Sequence, residues 1–198
     1  KNVALSSFYY KIYGDFKYDN NETFLYNYYE KLDNTDITTS SNDPEIPELY
    51  ANDYKTVIDY SIESLEEMFS NLHHSTFTIN YTHPINQPMA PPTCQVKETH
   101  TSYFVSPTKI VIVTKIENEG FPYSTAFMPI VLTTLEQTIN PRTKKFNVHQ
   151  RIEAQVCFLK SVRFFKNKIK SKAHAEIETN TKEVLVPLIR AYLTEKEK

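Results

Sequence analysis

Glycine is scarce in this sequence, which has 2 glycines against 11 prolines in 198 residues. Gly14 and Gly120 stand far apart, so a glycine-rich loop that cradles phosphate is not available. Long apolar runs are missing too, since none approaches the roughly 18 residues that a membrane-spanning helix needs. The chain starts without methionine and has no secretory signal. We therefore expect a single domain over residues 1–198 that is a fragment of a longer, membrane-anchored protein.

Residues typical of catalytic or metal sites are also few. Cys94 and Cys157 are the only cysteines, which is too few for a disulfide framework and fits a reducing cytosol. His73 and His74 are adjacent but lack the spaced partners of a zinc motif, so metal binding is the weaker interpretation. No nucleophile elbow, phosphate loop or carboxylate pair stands out. The sequence therefore predicts a protein that is not an enzyme and has no metal or cofactor.

Charge is unevenly spread along the chain. Residues 1–69 hold 14 acidic and 5 basic residues, and residues 139–172 hold 10 basic residues and one acid. A basic face of this kind suits an anionic membrane surface. The candidate membrane-docking residues are Arg163, Lys166, Lys168, Lys170 and Lys172. The alternative is a solvated helix face, while nucleic acid is a poorer partner because the pI is only 6.3.

The first third of the chain predicts helices and a loop. Residues 4–13 indicate a short amphipathic helix, and residues 20–22 open a second helix that continues to Leu32. Residues 33–47 are polar and predict a loop. A strand over 53–60 and a helix over 61–72 follow.

From Thr76 the apolar period changes from helical to two, which predicts antiparallel strands. Further strands are expected over 93–105, 108–117, 126–138 and 146–159, after a proline-rich loop over 83–92. Together these segments form a meander of about six strands.

The last segment predicts one long helix from about 161 to 194, roughly 50 Å in length. Pro187 should kink this helix. Its apolar positions follow helical spacing: Val162, Phe165, Ile169, Ala173, Ile177, Val184, Leu188 and Tyr192. An α+β fold results, in which the helix covers the apolar face of a curved sheet and an apolar cavity can lie between them.

Four segments resemble the VASt domain. Residues 5–15 resemble its first helix, residues 79–86 with Pro91-Pro92-Thr93 and Glu98-Thr99 resemble its first long strand and loop, and residues 121–127 resemble its "VPYG" turn. The fourth is the strand that ends at Val156-Cys157-Phe158, before the long helix. The resemblance implies a StART-like helix-grip fold, in which a curved antiparallel sheet wraps around a long C-terminal helix after two or three short helices.

The resemblance also implies a function. The sequence also resembles fungal Lam-family proteins, which resemble StART lipid carriers, and its departures suggest the branch in which the domain follows BAR and PH modules. Those departures include Ser124, Pro187 and the run from Met89 to Pro92. The implied activity is binding and transfer of a sterol such as ergosterol between the endoplasmic reticulum and an apposed membrane at contact sites. The isolated domain is expected to be a monomer on the cytosolic face of the endoplasmic reticulum.

Lipid carriage needs an apolar lining, a polar group for the lipid hydroxyl and an entrance. The expected lining residues, for which plain core packing is the alternative, are Val111, Val113, Phe127, Val131, Phe158, Ile177, Leu185, Leu188 and Tyr192. The expected lid residues, for which an ordinary connector is the alternative, are Ile85, Pro88, Met89, Ala90 and Pro91. Thr133 and Gln155 are candidates for the hydroxyl.

Two other functions compete with sterol transfer. One is a helix-grip module without a ligand, which serves as a protein-interaction or anionic-membrane surface. The other, more remote, is a hydrolase or cyclase that uses the helix-grip cavity. The residues leave open which lipid is carried and which membranes are bridged.

Overall fold

The computed structural model describes residues 4–14, 23–41, 69, 71–85 and 91–195. Helix α1 spans Leu5–Tyr9 and continues as a π-helical turn over Tyr10–Gly14, which confirms the predicted helix over 4–13.

Helix α2 spans Phe24–Glu30. Residues 20–22, which were predicted to open it, lie outside the described residues. Thr23 is its N-cap, and the Thr23 Oγ1 atom accepts a hydrogen bond from the backbone N–H of Tyr26 at 3.2 Å.

Six antiparallel strands form one sheet in chain order, and the period-two pattern predicts the last five of them. The strands are β1 (Thr35–Ser41), β2 (His74–Pro84), β3 (Thr93–Ser106), β4 (Lys109–Glu119), β5 (Phe127–Ile139) and β6 (Phe146–Phe158). Each strand pairs with its neighbour in sequence, so short connections suffice.

Strand β1 lies where a loop over 33–47 was expected, so that part of the prediction was wrong. The segment is polar, and Ile37 is its only large apolar residue. Because β1 pairs only with β2, it is an edge strand and needs few apolar side chains. Its threonines provide the β-branched character that a strand favours.

The register defines two faces of the sheet. Ile112 of β4 pairs with Ser102 of β3 and with Thr133 of β5, so these three side chains share one face. Ile112 belongs to the core cluster that includes residues of α1, of α2 and of the second half of the C-terminal helix, and we call this the inner face. Val111, the next residue along β4, belongs to the opposite, outer face.

The inner face carries the larger core. Its buried members from the helices and strands include Leu5, Phe8, Ile12, Phe24, Phe77, Ile79, Phe104, Ile110, Leu135, Leu185 and Ile189. The outer face has a smaller cluster of Phe69, Val105, Val111, Val113, Met128, Ile130 and Leu132. Phe69 stacks on Tyr103 with ring centroids 4.6 Å apart.

The predicted strand over 53–60 lies outside the described residues. Of the predicted helix over 61–72, the structure describes only Phe69 and residues 71–72.

The C-terminal helix extends from Arg163 to Glu195, as the spacing of its apolar residues predicts. A 3-10 turn at Arg163–Phe165 leads into α3 (Lys166–Thr179), then a π-helical segment at Asn180–Leu185, then α4 (Val186–Glu195). Pro187 lies two residues after the end of the π-helical segment, at the second position of α4. Proline lacks the N–H of a regular helical turn and its ring crowds the carbonyl four residues earlier, and widening the preceding turn relieves both effects.

Candidate functional site

The C-terminal helix is packed tightly at one end and loosely at the other. In α4 and the turn before it, Leu185 and Ile189 are buried, and the Tyr192 ring lies 5.5 Å from that of Phe24. In α3, by contrast, no described side chain is buried. Ile169, Ala173 and Ile177, which recur at helical spacing, are only half-buried. The first half of the helix therefore covers the sheet without sealing against it.

The inner face near α3 is correspondingly accessible. α3 approaches the sheet along β6. On the inner face of β5 and β6, the paired residues Val131 and Ala154 are half-buried, as are Ile152 and Phe158. Leu135, further along the same face of β5 near α1 and α4, is 0% exposed. The apolar surface beneath α3 is therefore covered less completely than the rest of the core.

A buried polar cluster lies on the inner face of β2 and β3. Glu98 accepts hydrogen bonds from the hydroxyls of Tyr29 at 2.6 Å and Tyr81 at 2.5 Å, and His100 Nε2 lies 3.0 Å from the same carboxylate. His100 Nδ1 lies 3.0 Å from Thr114 Oγ1. This network joins α2 to three neighbouring strands.

The electrostatics of the cluster favour an ionised Glu98. Burial by itself would raise the pKa of Glu98, but the hydrogen bonds from His100, Tyr29 and Tyr81 together with the nearby imidazole lower it below its usual range. The same burial, followed by the charge of Glu98, holds the pKa of both tyrosines well above their usual range. Since its members satisfy one another, we assign the cluster a structural role.

A second polar group connects α3 to the sheet. His83 Nε2 at the end of β2 lies 3.4 Å from Glu176 Oε1, and His83 Nδ1 lies 2.7 Å from Asn34 Oδ1. The hydrogen bond with His83 lowers the pKa of Glu176 despite partial burial. These contacts attach α3 to the end of β2 and to Asn34.

His174 is a polar residue on the sheet-facing side of α3. Its neighbour Ala173 and Ile177, one turn further on, are half-buried, and so is His174 itself. The Nε2 atom of His174 is buried and has no hydrogen-bond partner in the part of the chain that the structure describes. An imidazole nitrogen can donate to or accept from a hydroxyl, so this atom can bind a polar ligand group.

Other kinds of site are not formed by the described residues. None of their helices has both the length and the apolar character needed to cross a bilayer. Nor do His, Cys, Asp and Glu side chains gather in threes as a metal site within these ranges.

The family model described as "VAD1 Analog of StAR-related lipid transfer domain", or VASt, matches residues 7–176. The chain belongs to the VASt family. This is a StART-like, lipid-binding domain family that is non-enzymatic. No curated protein matches the chain. The match covers the meander and most of α3 and ends before Pro187.

The structure divides the expected lining residues of the VASt domain into three groups. Phe127, Val131 and Phe158 lie half-buried on the inner face, and Ile177 is half-buried on the sheet-facing side of α3. Phe127 and Phe158 pair across β5 and β6 with Val131 further along β5, whereas Ile177 follows Glu176, which contacts His83 at the end of β2. Contact of the four expected lining residues with a lipid stays a prediction.

Leu185, Leu188 and Tyr192 lie further along the helix, in or against the main core. Val111 and Val113 were placed on the wrong face, because they belong to the outer cluster with Phe69. β4 is apolar on both faces, so alternation alone does not identify the face that the helix covers. Gln155, a candidate for the lipid hydroxyl, also lies on the outer face, since it pairs with Ile130.

The expected lid is only partly described. Ile85 is half-buried against the inner core, its backbone N–H donates to the Pro92 carbonyl at 2.7 Å, and Pro91 is half-buried. Pro88, Met89 and Ala90 lie outside the described residues. The lid role stays a prediction.

The expected docking residues are all exposed. Lys166 and Lys170 recur at helical spacing with Ala173 and Ile177, so they continue the sheet-facing side of α3 beyond the part that is half-buried. Lys168 and Lys172 lie on another side, and Arg163 lies in the 3-10 turn before α3. The sequence therefore identified a basic segment but not its division between two sides of the helix.

Proposed function

We propose that this VASt domain takes up one sterol, such as ergosterol, between its sheet and α3 and transfers it between membranes. The donor or acceptor is proposed to be the endoplasmic reticulum at a contact site, with the domain on the cytosolic side. In this proposal the chain is part of a longer fungal Lam-type protein of the branch with BAR and PH modules. The family assignment supports lipid binding, and the sterol and the membranes are the proposed part.

The observation that carries the proposal is the difference between the two halves of the C-terminal helix. Leu185 and Ile189 seal the core at one end, whereas α3 buries none of its described side chains above Val131, Ala154 and Ile152. An incompletely covered apolar surface favours an apolar ligand, at about 25 cal/mol per Å² removed from water before the costs of binding. A flat, rigid sterol body suits a space between a sheet and a helix.

We propose that His174 binds the sterol hydroxyl. Its Nε2 atom is buried on the sheet-facing side without a partner in the described ranges. A buried polar atom without a hydrogen bond is costly, and a ligand hydroxyl would remove this cost. Thr133, the residue that the sequence offered as a candidate for the hydroxyl, is buried on the inner face, where it pairs with Ile112 and Ile152.

Sterol uptake tests the proposal. Uptake of a fluorescent sterol delivered from cyclodextrin is measured by the emission of the sterol itself, because the wild-type protein has no tryptophan. Ala173→Trp adds bulk on the half-buried side of α3, and Ala175→Trp adds the same bulk at an exposed position two residues away. We expect the wild type and Ala175→Trp to take up sterol and transfer it between liposomes, and Ala173→Trp to lose most uptake while still folded.

Failure of the wild type to take up any sterol would contradict the proposal. It would favour the alternative of a helix-grip module without a ligand. Equal uptake by both tryptophan variants would contradict the position of the site beneath α3.

A further inference from the structure

Three connections meet at one end of the sheet. Successive strands of the meander run in opposite directions, so the C-terminal ends of β2, β4 and β6 all lie at this end of the sheet. These strands end at Pro84, Glu119 and Phe158. The C-terminal helix also begins at this end, directly after β6. The loosely packed α3 therefore starts beside the turn between β4 and β5.

Exposed apolar side chains are concentrated at this end. Phe164 is 93% exposed, Leu159 55%, Tyr123 51% and Phe165 45%. We call these four residues the apical patch. Among the described residues, the other exposed large hydrophobic side chains are Tyr10 and Ile139, and Ile139 ends β5 at the opposite end of the sheet. Four large apolar side chains exposed together mark an interaction surface.

The apical patch is held in place by its backbone. The N–H groups of Leu159 and Lys160 both donate to the Ala126 carbonyl, at 2.9 and 3.2 Å, and this bond pair joins the chain after β6 to the turn before β5. Val162, between the exposed residues, is 7% exposed and anchors the segment. The Tyr123 and Phe165 rings lie 5.5 Å apart across the two connections. Phe164 is thus presented to solvent by an ordered scaffold.

The chain segment that carries Leu159, Phe164 and Phe165 is basic, while Glu119 ends β4 at the same end of the sheet. Residues 159–172 contain six basic residues and no acid, and the neighbouring turn over 120–126 has no charged residue. Lys160 contacts Thr125 beside the patch, and the Lys166 ammonium lies 5.2 Å from the centre of the Phe158 ring. Aromatic rings within a basic frame match the boundary of an anionic bilayer, where headgroups pair with the cations and the acyl region accepts the rings.

We infer that the apical patch inserts into anionic lipid bilayers, with Phe164 as the deepest side chain. Insertion would bring the start of α3, and with it the loosely covered inner face, to the membrane surface. The purpose of the insertion, which is lipid exchange, rests on the proposed function. The insertion itself is inferred from the exposure and charge of the apical patch. An acidic protein or a second copy of the chain are the other occupants to be tested.

Single-tryptophan variants test the insertion directly. Phe164→Trp and Ile139→Trp each place the only tryptophan of the chain at an exposed position, at opposite ends of the sheet. On vesicles of phosphatidylcholine with phosphatidylserine, we expect a blue shift and quenching by brominated acyl chains for Phe164→Trp alone. An unchanged Phe164→Trp spectrum on vesicles that bind the protein would overturn the inference.

Vesicle co-sedimentation gives a second, independent readout. We expect Phe164→Ser to reduce binding to the anionic vesicles about tenfold, because a phenyl group no longer leaves water, and Ile139→Ser to have no effect. Lys160→Glu with Arg163→Glu should reduce binding and its salt dependence. Equal binding by wild type and Phe164→Ser would overturn the inference. So would dimerisation in solution that Phe164→Ser abolishes, because a second copy would then cover the patch.

Uptake from cyclodextrin, without membranes, separates this inference from the proposed function. Phe164→Ser is expected to take up sterol as the wild type does, since Phe164 lies outside the space beneath α3. If the wild type inserts into vesicles but takes up no sterol, the proposed function fails and the insertion stands. If the wild type takes up sterol but fails to bind anionic vesicles, the insertion fails and the proposed function stands.

Discussion

His83 Nε2 lies 3.4 Å from Glu176 Oε1, and this contact joins the end of β2 to the middle of α3. Because α3 buries none of its described side chains, polar contacts of this kind contribute to its attachment. We expect Glu176→Gln to accelerate amide hydrogen exchange in α3 more than in α4. The two side chains are 27% and 50% exposed, so the free energy of unfolding should fall by only about 0.5 kcal/mol.

The pKa of Glu176 determines the pH range of this effect. Its pKa in the folded protein is lowered, chiefly by the hydrogen bond with His83. The stabilisation is therefore present above the usual pKa of glutamate, about 4.3, and is lost as the pH falls through the lowered value. Glu178→Gln is the control, because Glu178 pairs with Lys182 on the same helix and is largely exposed. Equal exchange rates in the two variants would contradict the role of the contact with His83.

Glu98 is expected to be far more important for stability. Glu98→Gln removes a buried charge that accepts from Tyr29 and Tyr81 and contacts His100. Breaking one partner of such a network should lower the free energy of unfolding by about 3 kcal/mol, as measured by urea denaturation. The pKa of Glu98 is lowered in the folded protein, so its contribution is present above the usual pKa of glutamate, about 4.3, and is lost as the pH falls through the lowered value.

Glu117→Gln provides a matched control for Glu98. Glu117 lies on β4 and pairs with Lys97, and both side chains are about half exposed. This variant should change stability by about 0.5 kcal/mol or less. If Glu98→Gln were no more destabilising than Glu117→Gln, the polar cluster would not be a structural network.

His174→Phe should distinguish sterols by their hydroxyl. Loss of one hydrogen bond corresponds to about tenfold weaker binding of a free sterol, whereas the parent steroid hydrocarbon, which lacks the hydroxyl and can neither donate nor accept, should bind the wild type and the variant alike. Binding is measured by titration with the two ligands. His149→Phe, at an exposed position on β6, is the control. A tenfold loss with both ligands would show that His174 shapes the cavity but does not bind the hydroxyl.

The basic residues of α3 should differ in their effect on transfer. Lys166 and Lys170 continue the side of α3 that faces the sheet, whereas Lys168 and Lys172 lie on another side. Near a charged bilayer each lysine contributes about 1 kcal/mol, so Lys166→Glu with Lys170→Glu should slow transfer to anionic liposomes about tenfold or more. Lys168→Glu with Lys172→Glu should slow it less. Equal rates for both pairs would indicate attraction by net charge alone.

Much of the fold could be predicted from sequence because strong local patterns determine it. The helical spacing from Val162 to Tyr192 predicted the long helix, and alternation in β2 predicted the sheet. β1 was missed because an edge strand with one apolar side chain has no period-two signal. Val111 and Val113 were placed on the wrong face because both faces of β4 are covered. The sequence pattern of β4 therefore does not show which face the helices cover.

The site was harder to predict because it depends on pairs that are distant in sequence. Glu98 and His100 lie at alternate positions of β3 with Val96 and Phe104, and this alternation could have marked them as inward-facing polar groups. Their partner Tyr29 lies 69 residues before Glu98, and no local pattern connects them. The exposure of Phe164 likewise follows from where Val162 and Ala126 hold the chain, whereas its helical spacing resembles that of a core residue.

Photolabelling tests the central claim most directly. A photoreactive sterol bound to the wild-type domain should label peptides from β5, β6 and α3, including the stretches around Val131, Ala154 and Ala173. Competition by unlabelled ergosterol should remove that label. Label confined to the outer-face peptide around Val111, or no label that ergosterol removes, would contradict a sterol site between the sheet and α3.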